Sequence, residues 1–363
     1  MRNLGRDRGL LVACALGLAV AAQPAASQGS SPPQARAAAS EGGVNLFRAH
    51  GARATAPRAH WQMLACREYL LTVSNLDRSL AFYRNVLGLT LIRAPQAPAS
   101  SRGMERLTNT PGALFRSASL QLPGSDVQLL LAEFTHIARK GQHPHVTDPG
   151  AAMLVVPVSD LSTVMQAVRR SGDRVLTAGA QPIDELPEGR SIVLIDPDGF
   201  FVRVEQVASK GSAEAGPVRA QLVYTVAEPG PLMRFYGNLA GLRIRSSGFI
   251  GGANLERLIN APGAQADAIA TDAADGHELL QFVAYRGLMR HTYLSRPQDP
   301  GSAAAALTVS DLPAALKALR AAGAPVITAG GQPVDTPNGE SAVIVRDSAG
   351  ILLELIQSSP ASR

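Results

Sequence analysis

Two decapeptides carry the most pointed chemistry in the chain. Met104–Ala113 reads MERLTNTPGA and Leu255–Ala264 reads LERLINAPGA, with an arginine in the same place in each. Arg106 and Arg257 can clamp an anion, because a guanidinium fork matches the oxygens of carboxylate or phosphate. The other reading is a turn built by Asn109, Pro111 and Gly112, with Arg106 paired to Glu105 or a neighbour. The seven histidines are His50, His60, His136, His143, His145, His277 and His291. Three of them fall in FTHIARKGQHPH (Phe134–His145), where His143 and His145, two apart in an extended loop, can touch one metal weakly. With only two cysteines, Cys14 and Cys66, the chain is neither a disulfide scaffold nor a Cys-rich zinc module. Cys66 has no histidine neighbour in sequence to activate it as a nucleophile.

These groups need a scaffold, and 363 residues at 46% hydrophobic supply core for about two domains. Charged residues are only 17%, below the roughly 25% of an average soluble domain. The net charge of +5 hints at an acidic partner, but Arg2, Arg6 and Arg8 against Asp7 place +2 of it in the first eight residues. No block of five or more Lys/Arg occurs, so nucleic acid is not an expected partner. Residues 1–27 read as a secretory signal: a basic start, the apolar run GLLVACALGLAVAA, then small residues. That run is shorter than the ~20 residues a membrane span needs, so no integral span is expected. Cleavage after Ala22 or after Ser27 fits equally. Leu11-Val12-Ala13-Cys14 resembles a lipobox, although Cys14 sits inside the apolar run rather than closing it. Residues 28–60, rich in Ala, Ser, Gly, Pro and Arg, read as a flexible tether.

The rest of the chain repeats. Leu255 lies 151 residues after Met104, Thr328 of TAGGQPVD lies 151 after Thr177 of TAGAQPID, and Val309 of the second VSDL lies 151 after Val158 of the first. Three blocks on one register mean a duplicated globular unit rather than a solenoid. The units span residues 64–206 and 219–357, with a polar linker at 207–218 and a tail at 358–363. Each unit contains the same rhythm twice. Glu68–Val73 alternates as a strand; Asn75 caps a helix carrying Leu76, Leu80 and Tyr83 that Gly88 stops. Ala152–Val158, a helix from Leu161 capped by Asp160, and a hairpin across Asp196-Pro197-Asp198-Gly199 follow. In the second unit the corresponding segments are Gln221–Val226, a helix at Pro231–Leu239, Ala305–Val309 and a helix at Leu312–Ala321. The result is four strand–helix–strand–strand–strand modules.

LTVSNLDRSLAFYRNVLGL (Leu71–Leu89), with IDPDGFFVRVEQ (Ile195–Gln206), resembles the vicinal oxygen chelate superfamily of glyoxalase I, bleomycin-resistance proteins and extradiol dioxygenases. RFYGNLAGL and RDSAGILLELIQ resemble it more loosely in the second unit. The resemblance implies an α+β fold of tandem domains, each with two βαβββ modules whose mixed sheet curls into a cup around a small molecule or metal. Enzymes of the superfamily hold a divalent metal, a Lewis acid, at four positions. Carried over, those positions fall on Glu68, Leu130, Met153 and Arg203 in the first unit and on Gln221, Gln281, Ala304 and Glu354 in the second. Leucine and alanine offer no donor, arginine repels a cation, and no histidine lands on a ligand position. Pairing the modules across units leaves Glu68 with Glu354, or Gln221 and Gln281 beside Arg203.

The reading that follows is an exported, periplasmic or secreted protein that binds a small molecule without family-type metal catalysis and needs no cofactor. If each unit pairs its own modules, Glu68 and Arg203 form a salt bridge where a metal would sit, with Glu205 and Cys66 facing the same side. That pair is either structural filling or a hook for a ligand carboxylate or amine. Gln221, Gln281 and Glu354 line the second cup on walls such as Val223, Leu279, Val283 and Leu352, and offer a weak metal set. The other reading of that cup is a closed core with hydrogen-bonded amides. Arg106 and Arg257 lie near the cup rims. The alternatives are a metal-dependent lyase, isomerase or dioxygenase with an unusual ligand set, and a structural or partner-binding module. A homodimer is left open.

Overall fold

The computed structural model describes residues 61–141, 143–185, 189–206, 219–276, 278–336 and 339–358. The expected signal peptide, tether and linker, the tail beyond Ser358, and Cys14, His50, His60 and His277 lie outside the described residues. The first module is β1 (Met63–Thr72), α1 (Leu76–Asn85), β2 (Thr90–Arg93), β3 (Ala99–Ser100), α2 (Arg102–Thr108), β4 (Leu114–Gln121) and β5 (Gln128–Thr135). The second is β6 (Ala152–Val158), α3 (Leu161–Ser171), β7 (Arg174–Val175), β8 (Ile183–Glu185), β9 (Gly189–Ile195) and β10 (Phe201–Gln206). The third is β11 (Gln221–Val226), α4 (Pro229–Met233), β12 (Arg243–Ser246), β13 (Ile250–Gly251), α5 (Ala253–Leu258), β14 (Gln265–Asp272) and β15 (Glu278–Arg286). The fourth is β16 (Ala303–Val309), α6 (Leu312–Ala321), β17 (Val334–Asp335), β18 (Ser341–Arg346) and β19 (Leu352–Gln357). The expected α+β class holds. Among the described residues no helix is long and apolar enough to cross a membrane.

The helices start where the sequence puts acceptors. Asn75 accepts from the Arg78 amide at 3.0 Å, Asp160 from Ser162 at 2.9 Å and Asp311 from Ala314 at 2.8 Å, each satisfying an otherwise orphaned donor. Gly172, at φ 72°, ends α3 in the left-handed conformation that glycine adopts without steric cost. Two expectations change. The helix expected over Pro231–Leu239 is α4 followed by a π-helical turn, Arg234–Leu239. The ERLxN segments are helical rather than simple turns: Ser101 caps α2, and Asn109 closes it in the left-handed region at φ 56°.

The sheets are shared between the two halves of the chain. The first runs β17-β18-β19-β16-β1-β5-β4-β2, with β3 on β4, and so joins the first module to the fourth. The second runs β12-β14-β15-β11-β6-β10-β9-β7, with β13 on β14 and β8 on β9, and joins the third to the second. Antiparallel seams hold both together: Tyr69 opposite Ala305, and Leu222 opposite Leu154. One large apolar cluster then fills the backs of both sheets, taking Tyr69 and Leu71 from β1, Leu154 and Leu222 from the other seam, and the buried faces of α1, α3 and α6.

Hydrogen bonds explain what the repeated motifs do. The Tyr83 hydroxyl of α1 donates to Asp196 of the DPDG hairpin at 2.9 Å, and Tyr236 donates to Asp347 at 2.7 Å in the second half. Burial pushes the Asp196 carboxyl up to about 7, helped by Asp198, and the Asp347 carboxyl up to about 6. On the inner faces the blocks meet across the halves. Thr328 of TAGGQPVD donates to Leu107 O of the first ERL helix at 3.0 Å, and Thr177 donates to Leu258 O of the second at 3.0 Å. Each short helix is thereby laid against the sheet it shares with the other half.

Candidate functional site

In the first sheet the register sets Glu68, Ala306 and Glu354 in one row across β1, β16 and β19. In the second sheet Gln221, Val155 and Arg203 form the corresponding row across β11, β6 and β10. Leu352, Glu354 and Ile356 alternate with the back-facing Leu353 and Leu355, so Glu354 points to the inner face. It is 3% exposed, and Glu68 is 6% exposed.

What stands around these rows differs. Ala304, Ala306, Ala132, Leu352 and Phe134 occupy, at the 151-residue spacing, the positions held by Met153, Val155, Val283, Phe201 and Tyr285. Phe115 against Ala266 runs the other way. The larger set, with Leu255 and Leu258 of α5, closes the inner face of the second sheet into a continuous apolar cluster. The smaller set leaves a cavity in the first sheet of roughly 500 Å³, counted out into its open mouth. Leu70, Leu130, Phe134, Met104 and Leu107 supply much of its wall, and Glu354 is the charged residue on it. The hydroxyls on the wall are engaged within the protein. Thr72 donates to Pro297 O at 2.6 Å, Thr108 to Met104 O at 2.7 Å, and Ser302 accepts from Ser295 at 3.1 Å.

Several expectations are corrected by the module pairing. Glu68 and Arg203 belong to different sheets, so they do not form the salt bridge expected of modules paired within each half. Arg203 is wholly buried with Glu205 at 3.9 Å, on its own strand. A bulge between Cys66 and Glu68 breaks the alternation of β1. Cys66 therefore packs toward the back core, its thiol donating to Glu68 O at 3.8 Å, instead of facing the side expected for Glu205. Burial pushes that thiol up to about 12.

The set Gln221, Gln281 and Glu354 is also divided. Gln221 and Gln281 lie in the second sheet and both donate to one Glu278 oxygen at 2.7 Å, while Arg245 binds the other oxygen at 2.7 Å and Asp272 at 2.9 Å. Burial raises the Glu278 carboxyl, and Arg245 opposes that rise. Of the expected walls, Val223 and Val283 face this closed cluster, Leu279 packs in the back core, and Leu352 belongs to the first sheet. The amides are hydrogen-bonded structure there.

Arg106 and Arg257 are exposed on α2 and α5, which cover the two inner faces. His145 lies 3.4 Å from Asp148. Among the described residues no three His, Cys, Asp or Glu side chains gather as a metal site. In the first sheet the four family positions fall on Glu68, Leu130, Ala304 and Glu354: two carboxylates and two hydrocarbon side chains. That donor set does not fit the family's four-ligand metal. Sequence reasoning missed the cavity, although the signal was present in Ala304 and Ala306 standing opposite Met153 and Val155 in the repeat.

A model of the Glyoxalase/Bleomycin resistance protein/Dioxygenase superfamily matches residues 64–204. Lactoylglutathione lyase of Haemophilus influenzae is 29% identical over 146 residues, which is 39% of this chain and 91% of that enzyme. Glyoxalase I from Zea mays shares the fold with a TM-score of 0.52 and 15% identity, over 82% of this chain and 92% of that one. The match to that superfamily thus covers residues 64–204, and the fold shared with glyoxalase I extends over both halves of the chain.

Proposed function

We propose that the protein is an exported small-molecule-binding member of this superfamily, and that its ligand enters the cavity between the first and fourth modules. The observation that carries the reading is that cavity, a concave site whose wall is apolar with one charged group, Glu354. The second sheet, closed by larger side chains, serves as its structural counterpart. Export is supported by residues 1–27 and is tested by fractionating cells that express the full chain. Binding is tested by thermal shift against a metabolite library, since a ligand at 100 times its Kd adds ~2.7 kcal/mol. The variant Ala304→Met/Ala306→Val copies the second sheet's side chains into the first. It should abolish every shift the parent shows. Shifts that survive the double substitution place binding elsewhere and refute the reading.

The second reading, a metal-dependent lyase, isomerase or dioxygenase, is favoured by the row of Glu68 and Glu354 on one face. Elemental analysis of chelator-free protein separates it from the first. One equivalent of divalent metal per chain, lost in Glu354→Ala, would establish this reading in place of the first.

A further inference from the structure

We infer that the ligand of the first-sheet cavity is an uncharged apolar molecule, an aryl or compact alkyl body recognised by hydrocarbon contact. The inference rests on the binding reading above and names the chemical class of its ligand. Among the described residues, Leu70, Leu130, Phe134 and Leu352 offer hydrocarbon to the cavity, and the polar side chains on the wall are already engaged. Thr72 and Thr108 donate to backbone carbonyls, Ser302 shares a hydrogen bond with Ser295, and Glu354 is partnered as well. A charged ligand would give up its hydration here without gaining a free counter-charge. A neutral ligand rich in N–H or O–H groups would bury them unsatisfied, at a cost for each. An apolar ligand leaves nothing unpaired and gains from all of its surface that the walls cover. Phe115 and Phe134, with ring centroids 5.2 Å apart and planes tilted by 60°, both line the cavity, a surface on which a third ring packs favourably.

The second half of the chain shows what such a wall accepts. At the 151-residue spacing, Met153, Val155 and Phe201 stand where the first sheet has Ala304, Ala306 and Leu352. They help close the corresponding face with thioether, alkyl and aryl groups. The ligand takes the place of those side chains and shares their chemistry.

The test uses four probes of similar size, toluene, benzamide, benzylamine and benzoate, titrated calorimetrically in a sealed cell into the full chain at pH 7.5, where the last two are ions. Toluene should bind at least tenfold more tightly than each of the others, which is about 1.4 kcal/mol. Ala304→Met/Ala306→Val should abolish toluene binding. Leu352→Phe, which also copies the second half, gives the same readout if the double variant does not fold. If an ion or benzamide binds as tightly as toluene and the filling variants abolish that binding, the apolar class is overturned while the cavity stands as the site. Toluene binding that survives both fillings overturns the class and the binding reading together. If none of the four binds at millimolar concentration, the apolar class falls, and the thermal-shift comparison of parent and double variant decides the binding reading separately.

Discussion

Tyr83→Phe removes one oxygen from a fully buried pair and should cost more at alkaline than at acid pH. Tyr83 and Asp196 are both 0% exposed, and the phenol donates to Asp196 at 2.9 Å. The amides of Asp198 and Phe200 supply the other donors, each at 2.8 Å. Burial raises the folded Asp196 pKa to about 7 from an ordinary 3.8. The folded state therefore holds a proton that the unfolded state has released between those values. Stability from this group is fully present below 3.8 and is lost as pH rises through about 7, a swing of ~4 kcal/mol. At pH 8 the phenol solvates a carboxylate, a bond worth ~1.5–3 kcal/mol; at pH 5 it meets a neutral acid, worth ~0.5–1.5 kcal/mol. Urea unfolding of parent and variant at both pH values, with the slopes compared, measures the difference. The loss should be about twice as large at pH 8. An equal loss at both, or a larger one at pH 5, refutes the assignment of a buried, proton-holding Asp196.

Glu278→Ala should destabilise the second sheet by ~3–5 kcal/mol, because it strips a carboxylate partner from buried Gln281 and one from Arg245; chemical denaturation checks this. Glu278→Gln should cost less, and equal costs would show that the charge does not matter there. Cys66 should resist thiol reagents in the folded chain, since raising its pKa from 9.0 to about 12 cuts the thiolate fraction ~1,000-fold. Labelling of native protein at the rate of urea-unfolded protein would contradict its half-buried placement against the back core.

The modules were legible because their signals are local. A capping Asn75 or Asp160, a stopping Gly172 and the DPDG turn act through hydrogen bonds within a few residues, and the 151-residue register repeats them. Module pairing was not legible, because it is decided by seams between strands hundreds of residues apart. Tyr69 lies opposite Ala305, and around that pair both strands are buried on both faces, so alternation names no partner there. The Glu68–Arg203 pair was expected only because neighbouring modules were assumed to share a sheet. Cys66 was misplaced by one bulge, which shifts the phase of β1 without leaving a mark in its composition. The short α2 was hidden by Gly103 and Pro111, although Ser101 ahead of it and Asn109 behind it were its caps. The closed second face was anticipated in part: its amides are hydrogen-bonded, but through Glu278, a residue outside the family's ligand positions.

The most direct test of the central claim, that the first sheet keeps a ligand cavity, is a methyl NMR titration of protein labelled at the methionine methyl carbons. Met104 lines the cavity and Met153 lies in the closed cluster of the second sheet, so one sample carries both probe and control. Titration with a small molecule that raises the parent's melting temperature should move the Met104 resonance saturably and leave Met153 where it is. A Met104 resonance that stays fixed at saturating ligand while Met153 moves, or two fixed resonances, would contradict the account.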